Sequence, residues 1–387
     1  MRRLKGDWIS EYVDFTSKAS RSCESYHWWC AVAVIGAALK RNCFIKTGFT
    51  LFPNMYTILV GRPGIGKGEA LGPAIRILRD SGVANVLSDR LTVEFVLSKL
   101  ADGFVSTSAS KNGSINIGRE SSAILAETEL SVFLRDSTYA LADIAKLWDS
   151  EDKFDYGTIG KGLHSVEKPC FSILGGTSPE WLHNSIPKDA AGGGFTRRVN
   201  FVYSKTNIKT PWVKPLVFSY ELIEDLKTIH ANVRGEFTLD FKAKLLWERN
   251  YMANKIEDFD DEATAGYKSS KPYHDLKIAM TLSAARNDSR IIEEQDIAKA
   301  HEATSEVLKG LAYVFRSIGE SDSAGAADKV LQFIETKGYA SRNDIMKYNW
   351  RHVGSVDQLE SILRMLVEGR LIQESSSGNK LMYKVIP

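Results

Sequence analysis

The chain has 387 residues, 43% of them hydrophobic and 25% charged. That length predicts two or three domains, and that composition excludes a disordered or fibrous chain. With 50 basic and 48 acidic residues the net charge is +2, so no whole-molecule field draws the chain to nucleic acid or membrane, and any basic surface must be local.

The four cysteines, Cys23, Cys30, Cys43 and Cys170, lack paired metal spacing. They read as buried, reduced thiols of a cytoplasmic protein. The longest apolar run, Trp28 to Leu39, is too short to span a bilayer, so no membrane partner is expected. Trp8 to Glu24 is polar and aromatic, with no signal-peptide pattern. No internal repeat is visible.

Residues 7–40 read as helices, and Glu24–Leu39 is apolar nearly all round, which predicts a buried helix. Asn42–Asn54 reads as two short strands. Met55–Val60 is an apolar run with the look of a buried parallel strand. It leads into Gly61-Arg62-Pro63-Gly64-Ile65-Gly66-Lys67, which fits the phosphate-binding pattern G-x-x-x-x-G-K. Glycines there let successive backbone N–H groups turn inward on a phosphate, and the next helix points its positive end at the same anion. Lys67 adds a point charge for the β- and γ-phosphates of ATP. One position departs from the pattern. A hydroxyl that ligates Mg²⁺ normally follows the lysine, and here Gly68 and then Glu69 follow.

Glu69–Ser81 reads as a helix, Val83–Ser88 as a strand, and Thr92 as the cap of a helix over Val93–Ala101. Phe104–Ser110 and Ser114–Ile117 predict a hairpin turning at Asn112-Gly113. Ser122–Leu130 is an apolar strand ending in carboxylates, where a nucleoside triphosphatase needs one group for the metal and one to polarise water. Glu129 is the candidate base. Thr128 stands where Asp is usual, which leaves Glu127 a share of the metal role.

Ala142–Trp148 reads as helix. Asp149–Pro169, with three glycines around Lys161 and His164, predicts a β-hairpin with a basic tip. Pro169–Gly176 is another buried strand, and Thr177 at its end is placed to sense a γ-phosphate. After the flexible Ala190–Gly194, Arg197 and Arg198 precede a strand over Val199–Tyr203, where ring ATPases keep an arginine that reaches a neighbour's nucleotide. Residues 205–215 read as a linker. Helices follow at Tyr220–Val233, Phe241–Phe259, Pro272–Ala285 and Glu294–Ile318, with one strand at Gly235–Leu239. His274 and Lys277 either face the nucleotide or lie on a solvated helix face, and the solvated face is the expectation.

After a polar linker at 320–325, three helices (Ala326–Lys337, Arg342–Tyr348, Val356–Glu368) and two strands (Leu371–Glu374, Leu381–Ile386) around Ser375–Lys380 have the order of a winged helix. Such units bind DNA or dock proteins. Arg351, His352, Gln358, Arg364 and Lys380 are the candidate DNA contacts. The expected fold is α/β: N-terminal helices and short strands (1–54), a P-loop ATPase core (55–204), a helical lid (205–319) and a C-terminal winged-helix domain (320–387).

The run SYHWWCAVAVIGAALKRNCFIKTGFTLFPNMYTILVGRPGIGKGEAL, followed in order by LSDRLTVEFVLSKLADG, ILAETELSVFL, ILGGTSPEWL and GGFTRRVNFVYS, resembles the phage- and plasmid-borne helicase-like ATPases often found beside primases. Those belong to the AAA+ group with superfamily-3 and minichromosome-maintenance-like helicases, and the resemblance covers roughly residues 25–318. It implies an ATP- and Mg²⁺-dependent ring oligomer, preferably a hexamer, that moves on single-stranded DNA in a bacterial or phage-infected cell, with a primase or replication initiator as possible partner. By matching positions, Lys67 binds phosphate, Glu129 activates water, Thr177 is a sensor, Arg198 or Arg197 is the finger, and Lys161 and His164 belong to a pore hairpin. The altered Gly68 and Thr128 leave open a scaffold that binds ATP and DNA with little turnover, such as a helicase loader, initiator or transposition regulator. A phage-defence ATPase is the third reading.

Overall fold

The computed structural model describes residues 6–386 except 89–90, 110–114, 131–132, 134–137, 159–161, 187–193, 208–218, 258–259, 316–321 and 378–379. The chain divides into two compact units, residues 1–315 and 316–387. No helix among the described residues is long and apolar enough to cross a membrane.

The first unit begins with helices α1 (Trp8–Ser17) and α2 (Glu24–Leu39). Asp7 caps α1 by accepting from the Ile9 N–H. Helix α2 buries thirteen of its sixteen residues, as its all-round apolar sequence requires. The two expected short strands, β1 (Cys43–Lys46) and β2 (Thr50–Leu51), pair antiparallel. They belong to a small second sheet, completed by strands more than 180 residues later in the chain.

The elements that build the main sheet are β3 (Tyr56–Val60), α3 (Lys67–Ser81), β4 (Val86–Leu87), α4 (Val93–Asp102), β5 (Phe104–Ala109), β6 (Ile115–Glu120), β7 (Ser122–Glu127), α5 (Thr138–Asp149), β8 (Lys153–Thr158), β9 (Gly162–Glu167), β10 (Cys170–Thr177), α6 (Pro179–Ser185) and β11 (Val199–Tyr203). Its strand order is β11-β3-β10-β7-β4, and all four pairings are parallel. Every residue of β3 and β10 is buried, so both faces of the sheet are covered and these strands read as unbroken apolar runs. Two antiparallel hairpins, β5–β6 and β8–β9, leave this sheet on either side of β7 and α5. The expected Asn112-Gly113 turn of the first lies outside the described residues.

The unit closes with α7 (Tyr220–Asn232), β12 (Gly235–Leu239), α8 (Phe241–Ala253), α9 (Glu262–Arg286), β13 (Ile291–Ile292) and α10 (Glu294–Phe315). Strand β12 pairs in parallel with β1 and with β13, giving the four-stranded order β13-β12-β1-β2. The sequence places a helix start at Pro272, whereas α9 runs through it from Glu262. Proline leaves the carbonyl four residues back without its donor. Here the Asn254 amide fills the gap, donating to Lys268 O at 2.6 Å, and Trp247 Nε1 donates to Pro272 O at 3.0 Å.

The second unit holds α11 (Asp322–Lys337), β14 (Ala340–Ser341), α12 (Arg342–Asn349), α13 (Val356–Glu368), β15 (Ile372–Ser377) and β16 (Lys380–Val385). Its sheet order is β14-β16-β15, antiparallel throughout; the short β14 is too brief to leave a period in the sequence. Ser341 and Asp344 form a capping box at the start of α12. Val330, Ile334, Ile345, Leu359, Ile362 and Ile372 build a core belonging to this unit alone.

Candidate functional site

The strand order fixes where a ligand can sit. The chain leaves β3 toward β4 at one edge, and it leaves β10 toward β11 at the other. Right-handed crossovers in opposite lateral directions lie on opposite faces of the sheet. The carboxyl ends of β3 and β10 therefore flank the crevice at which open α/β sheets bind ligands. The glycine loop follows β3, Thr177 ends β10, and Glu127 ends the neighbouring β7.

The loop geometry is tight. Gly66, the N-cap of α3, has φ +92, and a Cβ added there would stand 2.9 Å from Ser22 Cα. A side chain at Gly61 would stand 2.0 Å from Ile65 Cδ1 and 2.8 Å from the Tyr26 hydroxyl. Gly61 N–H donates to Thr177 O at 3.2 Å, tying the loop's first residue across to β10. Pro63 and Gly64 form the exposed bend of the loop, and Ile65 tucks beneath it. The Lys67 ammonium donates to Gly61 O at 2.5 Å and Arg62 O at 3.2 Å, which holds it over the loop. Burial pushes the Lys67 amine below its usual value, opposed by the charges of Glu129 and Glu180. Burial lifts the Glu129 carboxyl; Lys67 opposes this and Glu127 adds to it. Each group thus feels the other across the crevice.

The Thr177 hydroxyl is fully buried with no hydrogen-bond partner among the described residues. An orphaned buried hydroxyl costs about 1–3 kcal/mol, which an oxygen-rich ligand in the crevice would recover. A left-handed glycine cradle, a lysine and this hydroxyl suit a phosphate. The fit to Mg²⁺ is thinner. Gly68 supplies no ligand atom, and no group of three or more His, Cys, Asp or Glu side chains among the described residues is arranged to hold a metal. Glu127 and Glu129 remain the carboxylates at the strand end.

Several residues that no local sequence signal marks buttress the loop. Glu69 does not line the cradle: it accepts from Arg21 N–H (2.7 Å), Arg21 Nη2 (2.6 Å) and Ser20 Oγ (3.3 Å). Burial raises its carboxyl, but these donors outweigh burial and hold it below the usual range. Tyr26 Oη donates to Val60 O at 2.7 Å. The segment from Ser20 to Tyr26 therefore packs directly on the loop, a contact across about forty residues that periodicity cannot announce. Glu180, in the first turn of α6, is the other acidic neighbour of Lys67, and Ser178 caps that helix.

Arg197 and Arg198 sit at the other end of the sheet. Val199 pairs with Tyr56, five residues before the glycine loop, which at about 3.3 Å per residue is about 16 Å away. Neither arginine serves its own chain's loop. Arg198 is buried and bidentate on Asp149, with Nε–Oδ1 3.0 Å and Nη2–Oδ2 2.6 Å, and also donates to Gly194 O. Arg197 is half-buried, and its Nε has no partner among the described residues.

His274 and Lys277 are not on a solvated helix face. Both are buried at this same amino end. Lys277 donates to Asn54 O (3.0 Å) and Oδ1 (2.8 Å) and lies 4.0 Å from the Trp148 ring centre. Burial lowers its amine to about 7. His274 Nε2 donates to Arg197 O at 3.0 Å, and burial lowers the imidazole to about 4. The sequence misleads here because α9 is covered on nearly all sides while carrying polar residues.

His164 lies in the β8–β9 ladder opposite Tyr156 and stacks on it at 5.3 Å rather than projecting from a tip. Lys161 falls outside the described residues. In the second unit Arg351, His352 and Arg364 are exposed, Gln358 Oε1 accepts from Gly354 N–H at 2.9 Å, and Lys380 opens β16. A cavity of about 530 Å³ lined by Leu87, Phe95, Lys99 and Phe104 shares no residue with the crevice. Comparison with protein-family models finds no match, and comparison with curated proteins finds none either.

Proposed function

We propose that the chain is an ATP-driven motor on DNA: an AAA+-type P-loop ATPase with a C-terminal winged helix, working as a ring oligomer in the replication of a phage or mobile element. The observation that carries this reading is the convergence of Lys67, Glu129 and Thr177 on the crevice between β3 and β10, around a left-handed Gly66. Lys67 holds the phosphates, Glu129 takes the proton of the attacking water, and Thr177 contacts the terminal phosphate. Glu127 and Glu129 would be the carboxylates that hold Mg²⁺, which would supply charge neutralisation at the phosphates.

With Arg198 committed to Asp149, the remoteness of Arg197 from its own loop supports a trans role, in which one subunit's Arg197 completes its neighbour's site. The three helices and three-stranded sheet of the second unit support a winged helix. The test is phosphate release by the purified protein with and without single-stranded DNA, beside Glu129→Gln. DNA-stimulated turnover lost in the variant supports the motor. Gly68 favours a second reading, an ATP-dependent DNA-binding scaffold with little hydrolysis, and tight nucleotide binding without turnover in either protein would select it.

A further inference from the structure

The C-terminal unit carries a side-chain cluster that the ATP site does not use. Helix α12 buries Ile345 and Asn349. At about 100° per residue, Trp350, Lys347 and Arg351 follow in that angular order across the opposite face, and Tyr348 comes next on its flank. Trp350 keeps right-handed helical dihedrals (φ −55, ψ −28), so the helical turn extends to it. Both rings are 61% exposed.

Cations lie against both rings. Lys337 and Lys347 each place Nζ 5.8 Å from the Tyr348 ring centre, and the Arg351 guanidinium lies 5.4 Å from that of Trp350. Phe333 stacks on Tyr348 at 5.2 Å and braces it. Among the described residues none of these three cations has a carboxylate partner, whereas Arg342 at the start of the same helix is paired with Glu360. Burial, then Lys329 and Arg351, hold the His352 imidazole below its ordinary value, which agrees with a positive local field.

A protein-docking patch keeps its centre apolar and its charges at the rim. Here the order is reversed: the rings stand outside and cations lie between them. Bases flanking phosphates in a single strand have that alternation, and every base offers a face for stacking. A duplex hides its base faces, so the rings would gain nothing from one. We propose that this face of α12 binds single-stranded nucleic acid, with bases stacked on Tyr348 and Trp350 and phosphates held by Lys337, Lys347 and Arg351.

This deepens the DNA reading above and rests on it for the choice of DNA as ligand. The test uses the full chain without nucleotide and fluorescence anisotropy. The probes are an oligothymidylate of about 20 nucleotides, an abasic strand with the same phosphates, and a duplex of equal length. The wild type should bind oligothymidylate about tenfold or more tighter than the abasic strand. Tyr348→Ala with Trp350→Ala should remove that preference while leaving abasic affinity unchanged, and Tyr348→Phe with Trp350→Phe should retain most of it. Both residues are exposed, and a thermal melt confirms that each variant is folded. Unchanged oligothymidylate affinity in the alanine variant would overturn the stacking site and leave the DNA reading standing. An equal loss on duplex would also overturn it. No binding of any probe by the wild type would remove both.

Discussion

Restoring a hydroxyl at position 68 isolates the departure that decides between motor and scaffold. Gly68 is the second residue of α3, and a Cβ built there meets no atom within 4 Å. Threonine and valine therefore both fit, and their helix propensities are close, each a few tenths of a kcal/mol better than glycine. They share a shape and differ by one hydroxyl. A hydrogen bond or ligand contact to a charged group is worth about 1.5–3 kcal/mol, which converts to about ten- to 150-fold in affinity or rate. Gly68→Thr should therefore exceed Gly68→Val by at least about tenfold in DNA-stimulated phosphate release at limiting Mg²⁺. The gap should narrow as Mg²⁺ approaches saturation. The assay is phosphate release across a Mg²⁺ titration, with thermal melts to show that the two variants are equally stable. Equal turnover at equal stability would mean that residue 68 does not face the metal, and the phosphate-loop assignment would lose its main structural corollary.

Lys67→Ala removes the ammonium held over Gly61 and Arg62, and should weaken ATP binding about 100-fold or more by calorimetry; an unchanged Kd would sink the ATP assignment. The two arginines should separate. Arg198→Ala strands Asp149, whose side chain is 36% exposed, and should cost about 2 kcal/mol in urea unfolding, below a fully buried pair because water reaches the carboxylate. Arg197→Ala should leave the urea midpoint unmoved and stop turnover, and mixing it with Glu129→Gln subunits should restore some turnover if the arginine acts in trans. Acid should destabilise the protein through His27 and His274, each lowered to about 4 by burial. As pH falls from about 6.5 toward 4 the unfolded chain takes protons that the native one refuses, removing about 1.4 kcal/mol per pH unit for each histidine. Lys277, lowered to about 7, works on the alkaline side. Above that pH the unfolded chain keeps a proton that the native chain has shed, so stability should rise toward pH 10, and Lys277→Met should flatten that rise.

The parts of the site that are contiguous in sequence are the parts that can be read from it. The glycine loop, its lysine and the carboxylates after β7 each sit on one strand end, and the strand itself marks them through its apolar run. The five-stranded sheet is legible for the same reason. What could not be read are contacts set by long closure. Ser20–Tyr26 meets the loop only because α2 docks across β3, and β1 finds β12 nearly two hundred residues later. Helix α9 deceives in a different way. Pro272 marks a start that Asn254 cancels by supplying a side-chain donor, and Lys277 looks solvated because charge in a sequence does not reveal a buried amide and indole waiting for it. The ladders of both hairpins are present, yet His164 stacks on Tyr156, since alternation along a strand sends neighbouring residues to opposite sides.

The position of β3 carries a consequence for synthesis. It is flanked by β10 and β11, which leave the ribosome more than a hundred residues after it. At about 5–20 residues per second, this fully buried strand waits about 5–20 s for a neighbour. During that interval α2, already made, is available to pack on Tyr56–Val60. Weakening α2 should therefore lower the yield of soluble protein more than it lowers the stability of molecules that have folded, and supplying a holdase chaperone during synthesis should recover the difference.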